Sequence, residues 1–190
     1  YKSENGAQYV SKIYEIYYVA MGISCAGLII LDIPLAKFLY AKDFFEAWKY
    51  VPCLLISVVF IANAGFFESM LTLYKKTKIV AATTAIGAVV NIILNIILIN
   101  SIGVMGAAIA TICGYFVMWI IRIKPVMQEY NFRVNWFKCF ALHALLLVEA
   151  AFMILYQNYI VCITITAIMC LMNWEIVKQV VNQVTHKLKV

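Results

Sequence analysis

The chain has 190 residues, of which 65% are hydrophobic and 13% are charged, and its net charge is +6. A soluble domain carries roughly 25% charged residues, and a domain of this size could not bury so much apolar surface. These values exclude an ordinary soluble enzyme and a disordered chain, and they predict a protein whose main solvent is lipid.

Six apolar runs follow one another along the chain, each near the ~20 residues that a helix needs to cross a bilayer. They cover residues 14–39, 51–73, 79–99, 104–121, 137–156 and 159–177. None alternates as the strands of a membrane β-barrel do. The sequence therefore predicts an all-α, polytopic transmembrane helix bundle of six spans. The polar residues 1–12 are interpreted as a loop, so that the chain is a piece of a longer membrane protein.

Basic residues separate into two groups when the predicted loops are assigned to alternate sides of the membrane. Twelve fall on one side: Lys2, Lys12, Lys75, Lys76, Lys78, Arg122, Lys124, Arg133, Lys138, Lys178, Lys187 and Lys189. Only Lys37, Lys42 and Lys49 fall on the other. The positive-inside rule then predicts that both ends of this piece face the cytoplasm. Because the charge follows the loops, it indicates topology and no nucleic-acid partner.

The residue types that carry catalysis or bind metals are scattered. The six cysteines form no C-x-x-C pair, and His143 and His186 are far apart in the sequence, whereas a structural zinc site needs clustered ligands. No phosphate loop or nucleophile elbow is present. We therefore expect no metal, no cofactor and no enzymatic activity, and we interpret the cysteines as small apolar side chains.

The third run carries polar residues at intervals of four. Thr83, Gly87, Asn91 and Asn95 share one helical face. Two carboxamides and a hydroxyl cannot face lipid without a large cost, so the face is expected inside the bundle. Two interpretations remain open: the stripe lines a hydrated cavity, or it forms hydrogen bonds between helices.

The fourth run contains a ladder of small residues, Gly106, Ala110 and Gly114. Such a ladder lets another helix backbone approach closely. The short turn between the third and fourth runs makes the third span the expected partner.

Two acidic residues lie inside predicted spans. Glu68 near the end of the second span either binds a cation or proton, or pairs with Lys75 or Lys76 at the interface. Glu149 lies near the middle of the fifth span, where an isolated charge is costly. We expect it to be neutral or paired, with a structural hydrogen bond to Thr164 or Thr166 of the sixth span as the first interpretation.

The second to fourth spans resemble the carboxy-terminal half of polysaccharide flippases. The shared pattern is a basic KKTK loop at residues 75–78, then GAxxNxxLNxxLI at 87–99, a glycine turn at Gly103, and GAAxAT at 106–111. These flippases translocate O-antigen and capsule repeat units. They belong to the multidrug/oligosaccharidyl-lipid/polysaccharide exporter superfamily.

The resemblance implies a fourteen-helix transporter with two lobes, working by alternating access in the bacterial inner membrane. Residues 1–124 would hold four helices of the second lobe, and residues 125–190 the extra pair of helices and a cytoplasmic tail. The missing amino-terminal lobe of the same chain and the lipid bilayer are then the partners, and the substrate is an undecaprenyl-pyrophosphate-linked oligosaccharide.

The same resemblance selects candidate residues for the substrate cavity. Asn91 and Asn95 lie in the matching motif, Thr83 lies on the same stripe, and Glu68 completes the set. No central Lys or Arg is predicted in these spans, so no residue is assigned to the pyrophosphate. A cation-coupled drug or metabolite antiporter of the same superfamily is the alternative, and a membrane polymerase or glycosyltransferase is disfavoured by the short outer loops.

Overall fold

The computed structural model describes residues 4–129 and 132–187, with side chains at 6–129 and 132–182. Lys2 and Lys189 lie outside these residues, as do the side chains of His186 and Lys187. The helices are α1 Glu4–Leu39, α2 Val51–Leu73, α3 Thr77–Ile102, α4 Val104–Glu129, α5 Trp136–Tyr156, α6 Tyr159–Met172 and α7 Trp174–Lys187, with a 3-10 helix at Lys42–Tyr50 before α2. The described residues contain no strand.

Five of these segments are long and apolar enough to cross a membrane, and a sixth if the bent pair α6 and α7 counts as one span. The all-α, multi-pass character predicted from the sequence is therefore confirmed.

The first helix is longer than the predicted span. Helix α1 already begins at Glu4, so residues 4–12 are helical and the interpretation of this segment as a loop was wrong. Its 36 residues rise about 54 Å, which exceeds the ~30 Å hydrocarbon core. Pro34 lies inside the helix without ending it.

Helices α3 and α4 form a hairpin in which the two backbones touch. Gly103 makes the turn with φ of +62°, a conformation that side chains other than glycine rarely adopt. A Cβ atom on Gly106 would lie 2.4 Å from the carbonyl carbon and oxygen of Leu98. A Cβ on Gly114 would lie 2.9 Å from the Asn91 Cβ. The predicted packing of the small-residue ladder on the third span is confirmed.

Helix α4 does not stop at residue 121 as predicted. It continues to Glu129, with Pro125 inside it. The boundary between 124 and 125 that the resemblance implies therefore falls inside one helix, and the division into two groups of helices stays a prediction.

The helices pack in a defined order. Helix α4 lies between α3 and α2, whereas α1 packs against α2, α5 and α6. An aromatic cluster ties α1, α2, α4 and α5 together near the ends that carry the basic loops. Its centre is Tyr14, whose ring centroid lies 4.8 Å from that of Phe67. The Trp119 indole N–H donates to the Tyr14 hydroxyl at 3.0 Å.

The sixth predicted span, 159–177, is not a single helix. Helix α6 ends at Met172, and the chain bends by 85° into α7. With 14 residues, α6 rises only about 21 Å, which is shorter than the ~30 Å hydrocarbon core. Asn173 lies at the bend and is buried, and its backbone carbonyl accepts the first hydrogen bonds of α7, from Ile176 and Val177.

Candidate functional site

The most extensive polar contact in the described residues centres on Arg122 of α4. Its Nε–H donates to the Thr83 hydroxyl at 3.0 Å. Nη1 donates to the Ala64 carbonyl and to Glu68 Oε2, both at 2.9 Å. Nη2 donates to the Thr84 hydroxyl at 2.8 Å and to the Val80 carbonyl at 3.4 Å. A guanidinium has five N–H groups, so every one of them has an acceptor.

This group, which we call the Arg122 cluster (Arg122, Glu68, Thr83 and Thr84), joins three helices. The Arg122 side chain is fully buried, whereas that of Glu68 is 47% exposed. The prediction that Arg122 belongs to a loop was wrong, because α4 carries it inside the bundle. The pairing of Glu68 with Lys75 or Lys76 was also wrong, because its carboxylate binds Arg122; Lys76 pairs with Glu129 instead.

A sequence signal for Arg122 exists. The ladder Gly106, Ala110 and Gly114 continues in steps of four through Met118 to Arg122. The arginine therefore occupies the same helical face as the residues that contact α3. The apolar run alone did not show this, since a charged residue ends a run in a hydropathy count.

The carboxamide stripe of α3 faces α4. The Asn91 amide donates to the Thr111 hydroxyl at 3.4 Å. The Asn95 amide donates to the Asn91 carboxamide oxygen at 3.0 Å. The polar residues therefore do make a hydrogen bond between helices, which is one of the two interpretations of the stripe.

A groove of about 240 Å³ with both polar and apolar lining lies beside these residues, between α3 and α4. Its lining consists of Thr84, Gly87, Ala88, Asn91, Thr111, Tyr115 and Met118. The other interpretation of the stripe, a hydrated cavity, stays a prediction. We call the groove the α3–α4 groove.

Of the four candidate residues, only Asn91 lines the α3–α4 groove. Asn95 lies one turn further along and is linked to it through Asn91. Thr83 is 3% exposed and lies behind the groove, against Arg122. Glu68 lies on the other side of Arg122. The sequence did not single out Thr111 and Tyr115, because neither lies on the stripe of α3.

The groove is a neutral surface in which hydrogen-bonding groups lie beside apolar ones such as Ala88 and Met118. Carboxamide and hydroxyl groups line it together with one phenol, and none of its lining side chains is charged. In the described residues, no group of three His, Cys, Asp or Glu side chains could hold a metal ion.

A second buried polar group lies on the opposite side of the bundle. Glu149 of α5 is fully buried, and its Oε1 lies 3.1 Å from the Thr166 hydroxyl of α6. The predicted hydrogen bond between the fifth and sixth spans is confirmed with Thr166 as the partner. The Thr164 hydroxyl donates to the Val161 carbonyl instead.

Comparison with known proteins gives one short match. A stretch of 38 residues is 58% identical to the Uncharacterized membrane protein MJ1068 of Methanocaldococcus jannaschii. The match covers 20% of this chain and only 8% of that protein. No family model matches the chain, and no solved structure matches it. The match is consistent with a membrane protein and assigns no family or function to this chain.

Proposed function

We propose that this chain is the carboxy-terminal six-helix portion of an inner-membrane flippase that translocates undecaprenyl-pyrophosphate-linked oligosaccharide repeat units by alternating access. Both ends of this portion face the cytoplasm in the proposal. It rests on the sequence pattern at 75–111 and on one structural observation: the uncharged α3–α4 groove, which carries carboxamide and hydroxyl groups within mostly apolar helices.

The α3–α4 groove has the chemistry that a sugar requires. Sugars offer many hydroxyl groups and apolar C–H faces, which carboxamides and aromatic rings bind. Asn91 and Thr111 supply hydrogen-bonding groups, and Tyr115 supplies an aromatic face on the same surface. The remaining faces of α3 expose isoleucine and valine side chains such as Val89, Ile93 and Ile97, which suit lipid.

Arg122 supports this function as a framework residue. Its five N–H groups are all used within the protein, so none is left to bind a pyrophosphate. Through Thr84 it holds one wall of the α3–α4 groove. The proposal therefore places the pyrophosphate-binding cations in the missing lobe.

The antiporter alternative relies on Glu68 as a carboxylate for a cation. In the structure this carboxylate is bound to Arg122 at 2.9 Å. An ion pair with a buried guanidinium neutralises the charge that a cationic drug or a sodium ion would need, and this argues for the flippase.

The test uses the full-length parent protein in cells that make the polysaccharide. Asn91→Leu and Asn95→Leu, alone and together, should lower surface polysaccharide and cause finished lipid-linked repeat units to accumulate on the cytoplasmic face. The reason is that leucine removes the carboxamide groups that would form hydrogen bonds with the sugar during translocation.

Asn100→Leu is the matched control. Asn100 lies on the same helix but is exposed near its end, and its amide donates only to the Ile96 carbonyl. It should leave export unchanged. Normal surface polysaccharide in the Asn91 and Asn95 variants, at equal protein levels, would remove the groove from the transport path.

A further inference from the structure

Glu149 is a carboxyl group at mid-membrane depth without a counter-charge. It lies 13 residues into the 21-residue helix α5 and is fully buried. No salt bridge of the described residues includes it. An unpaired carboxylate in this position costs at least about 2.5 kcal/mol, so the neutral acid is the stable form.

The hydrogen-bond geometry around Thr166 fits the same protonation state. The Thr166 hydroxyl lies 3.1 Å from Glu149 Oε1 and 3.0 Å from the Cys162 carbonyl oxygen. A hydroxyl has a single hydrogen, and a carbonyl oxygen can only accept. With an ionised Glu149, Thr166 must share its one hydrogen between the two acceptors. With a proton on Glu149 Oε1, the carboxyl can donate to Thr166 while Thr166 donates to Cys162, and each contact then has its own hydrogen.

The other carboxyl oxygen supports this assignment. Glu149 Oε2 is buried and has no hydrogen-bond partner. A charged carboxylate would leave this oxygen unsolvated at great cost, whereas a neutral acid tolerates a free carbonyl-type oxygen far better.

The titratable groups that face Glu149 do not offset its charge. They are the thiols of Cys25 on α1 and Cys162 on α6. His143 on α5 is directed elsewhere, with Nδ1 2.7 Å from the Cys139 carbonyl oxygen and Nε2 3.2 Å from the Asn63 amide nitrogen.

Helix α6, which packs against α5 beside Glu149, differs from its neighbours in its length and in the bend at its end. It is the shortest apolar helix of the described bundle and ends in the 85° bend. Asn173 at that bend lies seven residues after Thr166 and therefore on the same helical face. It is 3% exposed, and its Oδ1 has no partner.

We propose that Glu149 is a proton-binding site that couples transport to the proton gradient, with α6 as the element that opens it. When α6 moves away, Glu149 gives its proton to water that enters along the face of Thr166 and Asn173, leaving a hydrated carboxylate. When α6 returns, the carboxylate takes up a proton from the opposite side of the membrane before it is buried again, so that one proton crosses the membrane in each cycle. The coupling role rests on the proposed transport function, whereas the proton site itself does not.

The proton site is tested by infrared spectroscopy of the full-length protein in lipid. The carbonyl stretch of a protonated carboxyl should be present in the wild type near neutral pH and reduced in Glu149→Gln. Asp32→Asn removes the other buried carboxyl with an unpartnered oxygen, and Glu46→Gln alters an exposed carboxylate paired with Lys49. An identical carboxyl band in wild type and Glu149→Gln would overturn the proposal.

The coupling is tested in proteoliposomes with lipid-linked repeat units extracted from the producing strain and a pH-sensitive dye inside. A pH gradient should speed wild-type translocation, and Glu149→Gln should lose this stimulation, so that its rate is the same with and without a gradient. Equal stimulation in both proteins would overturn the coupling. Absence of any wild-type translocation would instead count against the proposed function, and the infrared band would then decide on the proton site alone.

Discussion

The two polar regions of this bundle satisfy their buried groups in opposite ways. In the Arg122 cluster, every N–H of a fully buried guanidinium has an acceptor on α2 or α3. Around Glu149, one carboxyl oxygen and the nearby Asn173 Oδ1 have no partner. None of the four unpartnered buried side-chain atoms in the described residues belongs to α3 or α4.

This difference indicates different tasks. A saturated network of charge-assisted hydrogen bonds fixes one arrangement of three helices. A buried acid with one free oxygen is held by far fewer hydrogen bonds, so fewer contacts oppose a change around it. The first region is therefore expected to resist change as a unit, and the second to change with the conformation of α6.

The largest effect is expected from Arg122→Met, which removes all five hydrogen bonds while keeping an apolar side chain of similar length. We expect a loss of about 3 kcal/mol of stability in detergent, because the bonds are charge-assisted and buried. Glu68→Gln should cost only about 1 kcal/mol, because its side chain is half exposed. Thermal unfolding of both variants measures the two losses of stability. Equal losses for Arg122→Met and Glu68→Gln would contradict the prediction.

A smaller effect is expected from Gly106→Ala in the α3–α4 hairpin. The new methyl group would lie 2.4 Å from the Leu98 backbone, so that α3 must move away at a cost of about 1–3 kcal/mol. Gly65→Ala is the matched control, because nothing lies within 4 Å of its Cβ position. That variant should be neutral or more stable by about 0.4–1 kcal/mol. Similar unfolding temperatures for the two variants would show that the backbones are not in contact.

The smallest loss of stability is expected from Thr166→Val, in the region around Glu149. It removes the hydroxyl between Glu149 and Cys162, and hydrogen bonds between membrane helices contribute about 0.6 kcal/mol on average. Thr164→Val removes a hydroxyl that bonds only within its own helix. If Thr166→Val lowered stability as much as Arg122→Met does, the two regions would not differ in the way that we propose.

The hairpin of α3 and α4 could be predicted from the sequence because its signals are local. Asn91 and Asn95 on one helix and Gly106 and Gly114 on the next repeat at intervals of four, which fixes two faces without knowledge of the tertiary structure. The short turn at Gly103 then brings those faces together.

Arg122 and the end of α6 could not be predicted in the same way. Hydropathy treats a charge as the end of a span, yet burial of Arg122 depends on Glu68 and Ala64, more than fifty residues earlier in the chain. Helix α6 packs against α1 and α5 and ends in an 85° bend. The average hydropathy of residues 159–177 does not show this bend, because it predicts one continuous span.

The close contact of Gly106 with Leu98 has a consequence for biogenesis. While α3 alone has left the ribosome, the Asn91 amide has no Thr111 to bind, and the face that belongs against α4 is open to lipid. The stripe is covered only once α4 is beside it, with no side chain at Gly106 to hold the two apart. We therefore expect the two helices to enter the bilayer as a pair rather than one after the other.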